Sequence, residues 1–348
     1  PKIKELTMNK LTKIGVSALC GSLAAVASAH AGSMSVSGGA TATFTSNEGA
    51  VTGNPLGMAS ALTFDGSGEL DNGNAITTTI ALDDKAAFSA AQITLDMAGL
   101  GKFSLDQAGG TGLDRLDDEM PSAWNVPQSA GLGSGIVIAT GAGNSLDVEL
   151  AVSPDLLPDG MTAYVSYNPR VGAGTHGDKA SSGDTGKPGS GYDIVLRHTA
   201  LADGLDVFAG YSAIEQDAET AGTNTQGDNT AYVLGAKYAI GSVTLGYQYM
   251  RDNIQSSTPT GTRYYENDHY AIAFNVSDDL TVSYGETKSK RAQQGTVANT
   301  AKAQSFQLSY TMGGATIAVA ENSVNNASYV STTDKDTDGT TIALTLAF

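Results

Sequence analysis

The chain has 348 residues and a formal net charge of −17, with 36 acidic side chains against 19 basic ones. That balance excludes nucleic acid as a partner, because its recognition needs a basic face. A single cysteine excludes a disulfide scaffold. No stretch after residue 31 is long and apolar enough for a transmembrane helix.

The first predicted element is an export signal. It begins at Met8, with Lys10 and Lys13 as its positive region and the apolar or small run 14–27 behind them. Ala29-His30-Ala31 reads as the small-x-small cleavage site before Gly32. Residues 1–7, ahead of the better start at Met8, read as an upstream extension or a scar. Residues 1–31 are therefore set apart from the fold. They hold the only cysteine, Cys20, and carry Lys2, Lys4, Lys10 and Lys13 against Glu5, so their removal takes the formal charge from −17 to −20.

From Gly32 the chain alternates between apolar and small or polar residues in short runs, the period of a strand. The runs are 34–46, 58–70, 75–83, 87–97 and 100–107, followed by a long insertion. They resume with 145–153, 161–168, 191–200, 205–216, 229–239, 242–253, 264–276, 280–290, 302–311, 315–325 and 339–348. This makes about sixteen strands, an even number as single-chain membrane barrels require. Tight connections such as Asp71-Asn72-Gly73-Asn74, Ala202-Asp203-Gly204 and Met312-Gly313-Gly314 each join an even strand to the next odd one. The long polar connections 169–190, 217–228, 254–263, 291–301 and 326–338 all fall at the other rim. One rim of tight turns and one of long loops is the arrangement of a transmembrane barrel.

Parity assigns the lipid face. Leu245, Tyr247 and Tyr249 point one way, and Thr244, Gly246 and Gln248 the other. In the last strand Ile342, Leu344, Leu346 and Phe348 form an apolar row against Thr341, Ala343, Thr345 and Ala347. A mean hydropathy of −0.12 fits such a wall, since only alternate residues touch lipid. An all-β, antiparallel barrel of the bacterial outer membrane is expected.

With the signal, the strand count, the terminal Phe348 strand and the segment Leu113-Asp114-Arg115-Leu116-Asp117-Asp118-Glu119-Met120-Pro121, the chain resembles the general diffusion porins of Gram-negative outer membranes, most like the alphaproteobacterial type. The resemblance covers residues 32–348. It implies that the insertion after the fifth strand folds into the barrel as a constriction loop. It also implies a homotrimer, and a terminal strand (Ile342, Leu344, Leu346, Phe348) read by the barrel-assembly machinery.

The insertion, about 108–144, is the longest in the chain, and long ordered loops are usually functional. Asp114, Asp117, Asp118 and Glu119 put four carboxylates within six residues, and Trp124, Pro121 and Pro127 stiffen the loop. Folded inward, the carboxylates place a negative field across a narrow aqueous passage. Strand parity puts Lys102, Arg197 and Lys237 in the lumen as a basic wall facing that loop. The alternative is that each pairs with a nearby carboxylate, such as Asp96 or Asp106 for Lys102. Inward basic residues are few, which favours cations. Asp334, Asp336 and Asp338 read as a loose calcium site in an external loop or as a plain acidic loop; no Glu stands at the twelfth position to make it an EF-hand. His176, His198 and His269 are isolated, and no catalytic motif occurs, so neither an enzyme nor a required cofactor is expected.

The expected function is passive diffusion of small hydrophilic solutes and ions, cations preferred, through a water-filled barrel embedded in outer-membrane lipid. A substrate-specific channel of the same fold, a non-conducting barrel serving as adhesin or structural protein, and a soluble acidic β-protein are the alternatives.

Overall fold

A computed structural model describes residues 32–48, 53–107, 110–143, 146–171, 189–216, 227–256, 261–293, 299–331 and 335–348. The export signal lies outside them. Sixteen strands run in chain order: β1 (Ser33–Glu48), β2 (Leu56–Glu69), β3 (Ala75–Asp83), β4 (Ala87–Asp96), β5 (Gly101–Gln107), β6 (Asp147–Val152), β7 (Met161–Asn168) and β8 (Gly191–His198). The second half holds β9 (Leu205–Ile214), β10 (Asn229–Ile240), β11 (Val243–Asn253), β12 (Thr262–Asn275), β13 (Leu280–Gln293), β14 (Asn299–Met312), β15 (Ala315–Asn325) and β16 (Thr337–Ala347).

Each strand pairs antiparallel with its sequence neighbours, and β1 pairs with β16, so the sheet is a closed barrel. The seam runs from Gly39 opposite Ala347 to Glu48 opposite Asp338. It is sealed by Gly38 N–H donating to the Phe348 carbonyl (3.0 Å) and Phe348 N–H to that of Gly38 (2.9 Å). Closure leaves no unpaired edge, which lipid would penalise heavily. The tight and long connections alternate as expected except at two junctions: three residues, 84–86, join β3 to β4 at the long-loop rim, and eight, 153–160, join β6 to β7 at the other. Strands β13 and β14 reach further toward the long-loop rim than the apolar alternation alone indicates, to Gln293 and from Asn299. Their ladder continues past the apolar belt, through Lys288 opposite Lys302 and Lys290 opposite Thr300.

Alternation of burial follows the pleat. On β16, Ile342, Leu344 and Leu346 are 45%, 41% and 50% exposed, while Thr341 and Ala343 are 1% exposed. The apolar row faces outward, and the small or polar row is covered from inside. What covers it is the long insertion.

Candidate functional site: the passage beside the inward loop

The insertion does not stand out from the rim. It turns into the barrel and lies along the inner faces of β6–β16. Its root is held by carboxylates of the wall. Asp193 on β8 accepts from the N–H groups of Leu113 (2.9 Å), Ala142 (3.0 Å) and Gly143 (3.2 Å). Asp147 accepts from the Thr111 hydroxyl (2.7 Å) and Glu149 from Gly112 N–H (2.8 Å). Glu149 also pairs with Arg115, whose guanidinium stacks on Tyr164 at 4.3 Å. These carboxylates satisfy backbone donors that a loop buried away from water would otherwise leave orphaned.

Further along, Gln248 donates to the Leu116 carbonyl (2.5 Å) and Ser283 accepts from Ala123 N–H (2.8 Å). Gln307 accepts from the N–H groups of Trp124 (2.9 Å) and Asn125 (3.0 Å). Asn322 donates to the Ala130 carbonyl (2.7 Å) and Asn267 to that of Val137 (2.9 Å). Apolar contacts support this network. Leu113, Leu116, Met120 and Ala139 pack on Val195, Phe208, Val233 and Met250, and Leu132 packs on Ala303 and Val324. Three inner-wall glycines act as sockets. A β-carbon on Gly210 would come within 2.3 Å of Leu113, one on Gly246 within 2.4 Å of Pro121, and one on Gly285 within 2.7 Å of Pro127.

The loop's own carboxylates divide into two kinds. Glu119 points into the wall, where it pairs with Arg197 on β8 and Lys237 on β10. Both cations are shared with Asp206 on β9, at 3.3 Å each. Burial alone would raise the Glu119 pKa, but the two cations outweigh it and hold the carboxyl below its usual range. Of the other three, Asp114 and Asp117 are half-buried and Asp118 is exposed. Burial, with Asp118 and Asp114 beside it, pushes Asp117 up to about 7. Burial also raises Asp114, against a hydrogen bond from Gly110 N–H (2.8 Å).

The inner faces of β1–β4 are the part of the wall left open. Inward residues are buried from Ser104 and Asp106 on β5 round to Thr341 and Ala343 on β16, whereas none on β1–β4 is buried. The inward row there is hydroxyl-rich. Thr41 and Thr45 meet Thr345 (2.9 Å) and Thr341 (3.3 Å) across the seam, Thr79 donates to Asp65 (2.7 Å), and Thr94 lies 3.0 Å from Ser104.

This geometry changes one part of the sequence reading. Arg197 and Lys237 do not face the loop across the lumen; they lie beneath it and bind Glu119. A carboxylate taken out of water needs cations or hydrogen-bond donors within reach, and beneath Glu119 the wall supplies cations. Lys102 stays apart, exposed on β5 opposite Asp96. Asp334 lies outside the described residues. The Asp336 carboxylate accepts from Asn326 N–H (2.8 Å), and Asp338 sits within β16. Among the described residues no group of three His, Cys, Asp or Glu is placed to hold a metal. His269 is buried against Thr287 (3.1 Å), and the ring of His198 accepts from Ala200 N–H near the tight-turn rim (3.2 Å). His176 lies outside the described residues. Asp206, Glu149, Asp193, Gln307 and Asn322 were not singled out in the sequence. Their signal, a polar residue at an inward position, is shared by many others.

A closed sixteen-strand barrel with a polar interior and an apolar exterior defines a transmembrane channel protein. The sequence matches the family profile described as Gram-negative porin over residues 15–347. The chain belongs to this family: outer-membrane channels for passive diffusion of small hydrophilic solutes, which are not enzymes and need no cofactor. Solved structures agree in fold. The trimer form of OmpT, an outer membrane protein of Vibrio cholerae, is 13% identical with a TM-score of 0.64, covering 91% of this chain and 100% of its own. Salmonella typhi OmpF is 14% identical with a TM-score of 0.64, covering 91% and 98%. A mutant Rh. blastica porin is 17% identical with a TM-score of 0.56, covering 90% and 100%. No curated protein sequence matches this chain significantly.

Proposed function

We propose that the gap between the loop edge carrying Asp114, Asp117 and Asp118 and the inner wall of β1–β4 is the pore constriction, and that it favours cations. The observation that carries this is the docking of the loop. Glu119 is neutralised against Arg197 and Lys237, which leaves the other three carboxylates as the charge beside the water path. In a narrow passage with low-dielectric walls they concentrate cations and repel anions. Asp114→Asn/Asp117→Asn/Asp118→Asn should move the reversal potential in a KCl gradient most of the way to zero at low salt. An unchanged potential in that variant, or chloride preference in the wild type, overturns the reading.

The protein is further proposed to be a homotrimer packed through β16 and β1–β5. All 14 tyrosines lie at residue 164 or later, and their outward members, from Tyr167 on β7 to Tyr310 on β14, supply the interfacial anchors that lipid-facing walls use. The wall from β1 to β5 carries none. It projects Met34, Phe44, Leu56, Met58 and Ile93, with Met58 77% exposed. Met58→Arg should convert a trimer on native gels to monomer while leaving a heat-modifiable barrel. A trimer of undiminished stability would place the interface elsewhere. The row Ile342, Leu344, Leu346 and Phe348 is proposed as the segment that the assembly machinery reads.

A further inference from the structure

Among the described residues, the cationic side chains on β1–β5 and those that hold the root and middle of the loop can each be placed. Between residues 32 and 107 the chain has two basic residues, Lys85 and Lys102. Lys85 lies in the short connection Asp84–Ala86 at the long-loop rim. Lys102 stands at the tight-turn end of β5, opposite Asp96. Arg115, Arg197 and Lys237 are held by Glu149, Glu119 and Asp206. The wall that faces the acidic loop edge is thus hydroxyl, amide and carboxylate: Thr43, Thr63, Asp65, Thr79, Gln92 and Thr94.

This arrangement determines how a solute feels the pore. A net charge couples to the potential at its position, whereas a dipole couples to the field, the change of potential across the gap. Carboxylates on one side and cations on the other would create a strong transverse field, which turns and holds a zwitterion. Carboxylates on one side and hydroxyls with a further carboxylate on the other lower the potential throughout and give a weaker gradient across the gap, because no cation adds to it.

Resting on the cation-preferring reading above, we infer that this channel sorts solutes by net charge far more than by dipole moment. Its solute class is small cations first, then neutral and zwitterionic molecules of one size at similar rates, and anions last. The hydroxyls exchange hydrogen bonds with a polar solute as readily as water does, so they impose little barrier of their own.

β-Alanine and lactamide are isomers, the first zwitterionic at neutral pH and the second uncharged. Swelling of proteoliposomes carrying the wild-type protein should give rates for the two within about threefold, equivalent to less than about 0.7 kcal/mol. Thr43→Arg/Thr63→Arg, which creates the missing cationic wall, should drive the ratio beyond about threefold and move the KCl reversal potential toward zero, with heat-modifiability confirming a folded barrel. A wild-type ratio beyond that limit overturns the inference even where potassium is preferred over chloride. Chloride preference in the wild type overturns the cation reading and the solute order that rests on it.

Discussion

At the scale of residues, the chemistry of the passage depends on which carboxylates are neutralised. Glu119 and Asp206 share Arg197 and Lys237, so that group adds little net field. With its pKa lowered, Glu119 stabilises the docked loop above the ordinary carboxylate range, and that contribution is lost as pH falls through its depressed value. Asp117 has the opposite sign. Pushed up to about 7 by burial and by its neighbours Asp118 and Asp114, it is ionised at alkaline pH and takes up a proton as pH falls through neutrality. Lowering the pH from about 8 to about 6 should therefore weaken cation preference, as a shift of the reversal potential toward zero. Asp117→Asn should flatten that shift, and a profile unchanged by the substitution would deny Asp117 the role. The acidic segment itself was legible in the sequence. The division between clamped and free carboxylates was not, because the partners of Glu119 stand 78 and 118 residues away in the chain and adjacent sequence says nothing of them.

The strands were legible because a half-lipid wall imposes a period of two on every one of them, and tight turns close most of the alternate junctions. The loop's path was not. Periodicity ends at Gln107 and resumes near residue 145, and only resemblance pointed the segment inward. The features that seat it are concealed by type. A glycine within a strand reads as a weakness or a bulge, yet Gly210, Gly246 and Gly285 are where Leu113, Pro121 and Pro127 sit so near the wall that no β-carbon fits. A side chain at such a socket has to displace the loop. Gly246→Leu should push the segment around Pro121 toward β1–β4 and lower single-channel conductance, while the ladder between Val243 and Asn253 and its partners persists. Wild-type conductance in this variant would mean that the loop edge is not the narrowest point. Overpacking of this kind costs on the order of 1–3 kcal/mol, which falls on the loop contacts because the barrel hydrogen bonds lie in the wall itself.

At the scale of the whole molecule, two asymmetries coincide. The loop covers the inner faces of β6–β16, and the outward tyrosines belong to β7–β14. The remaining arc, centred on β1–β4, is open within, and outside it carries Met, Leu, Ile and Phe but no tyrosine. Phe348 stands at the seam of that arc, and Phe348→Ala should reduce the amount of heat-modifiable barrel in the outer membrane. Equal amounts of folded protein in mutant and wild type would remove this strand from assembly. The seam has a further consequence. Thr41 and Thr345, 2.9 Å apart, are separated by 304 positions in the chain. Until they meet, β1 and the latest strand to form each present a bare row of amides and carbonyls. Stability therefore belongs to the completed ring and to none of its arcs. A chain that loses β16 is not a narrower channel but a sheet with two sticky margins, and membrane entry and circularisation have to occur together.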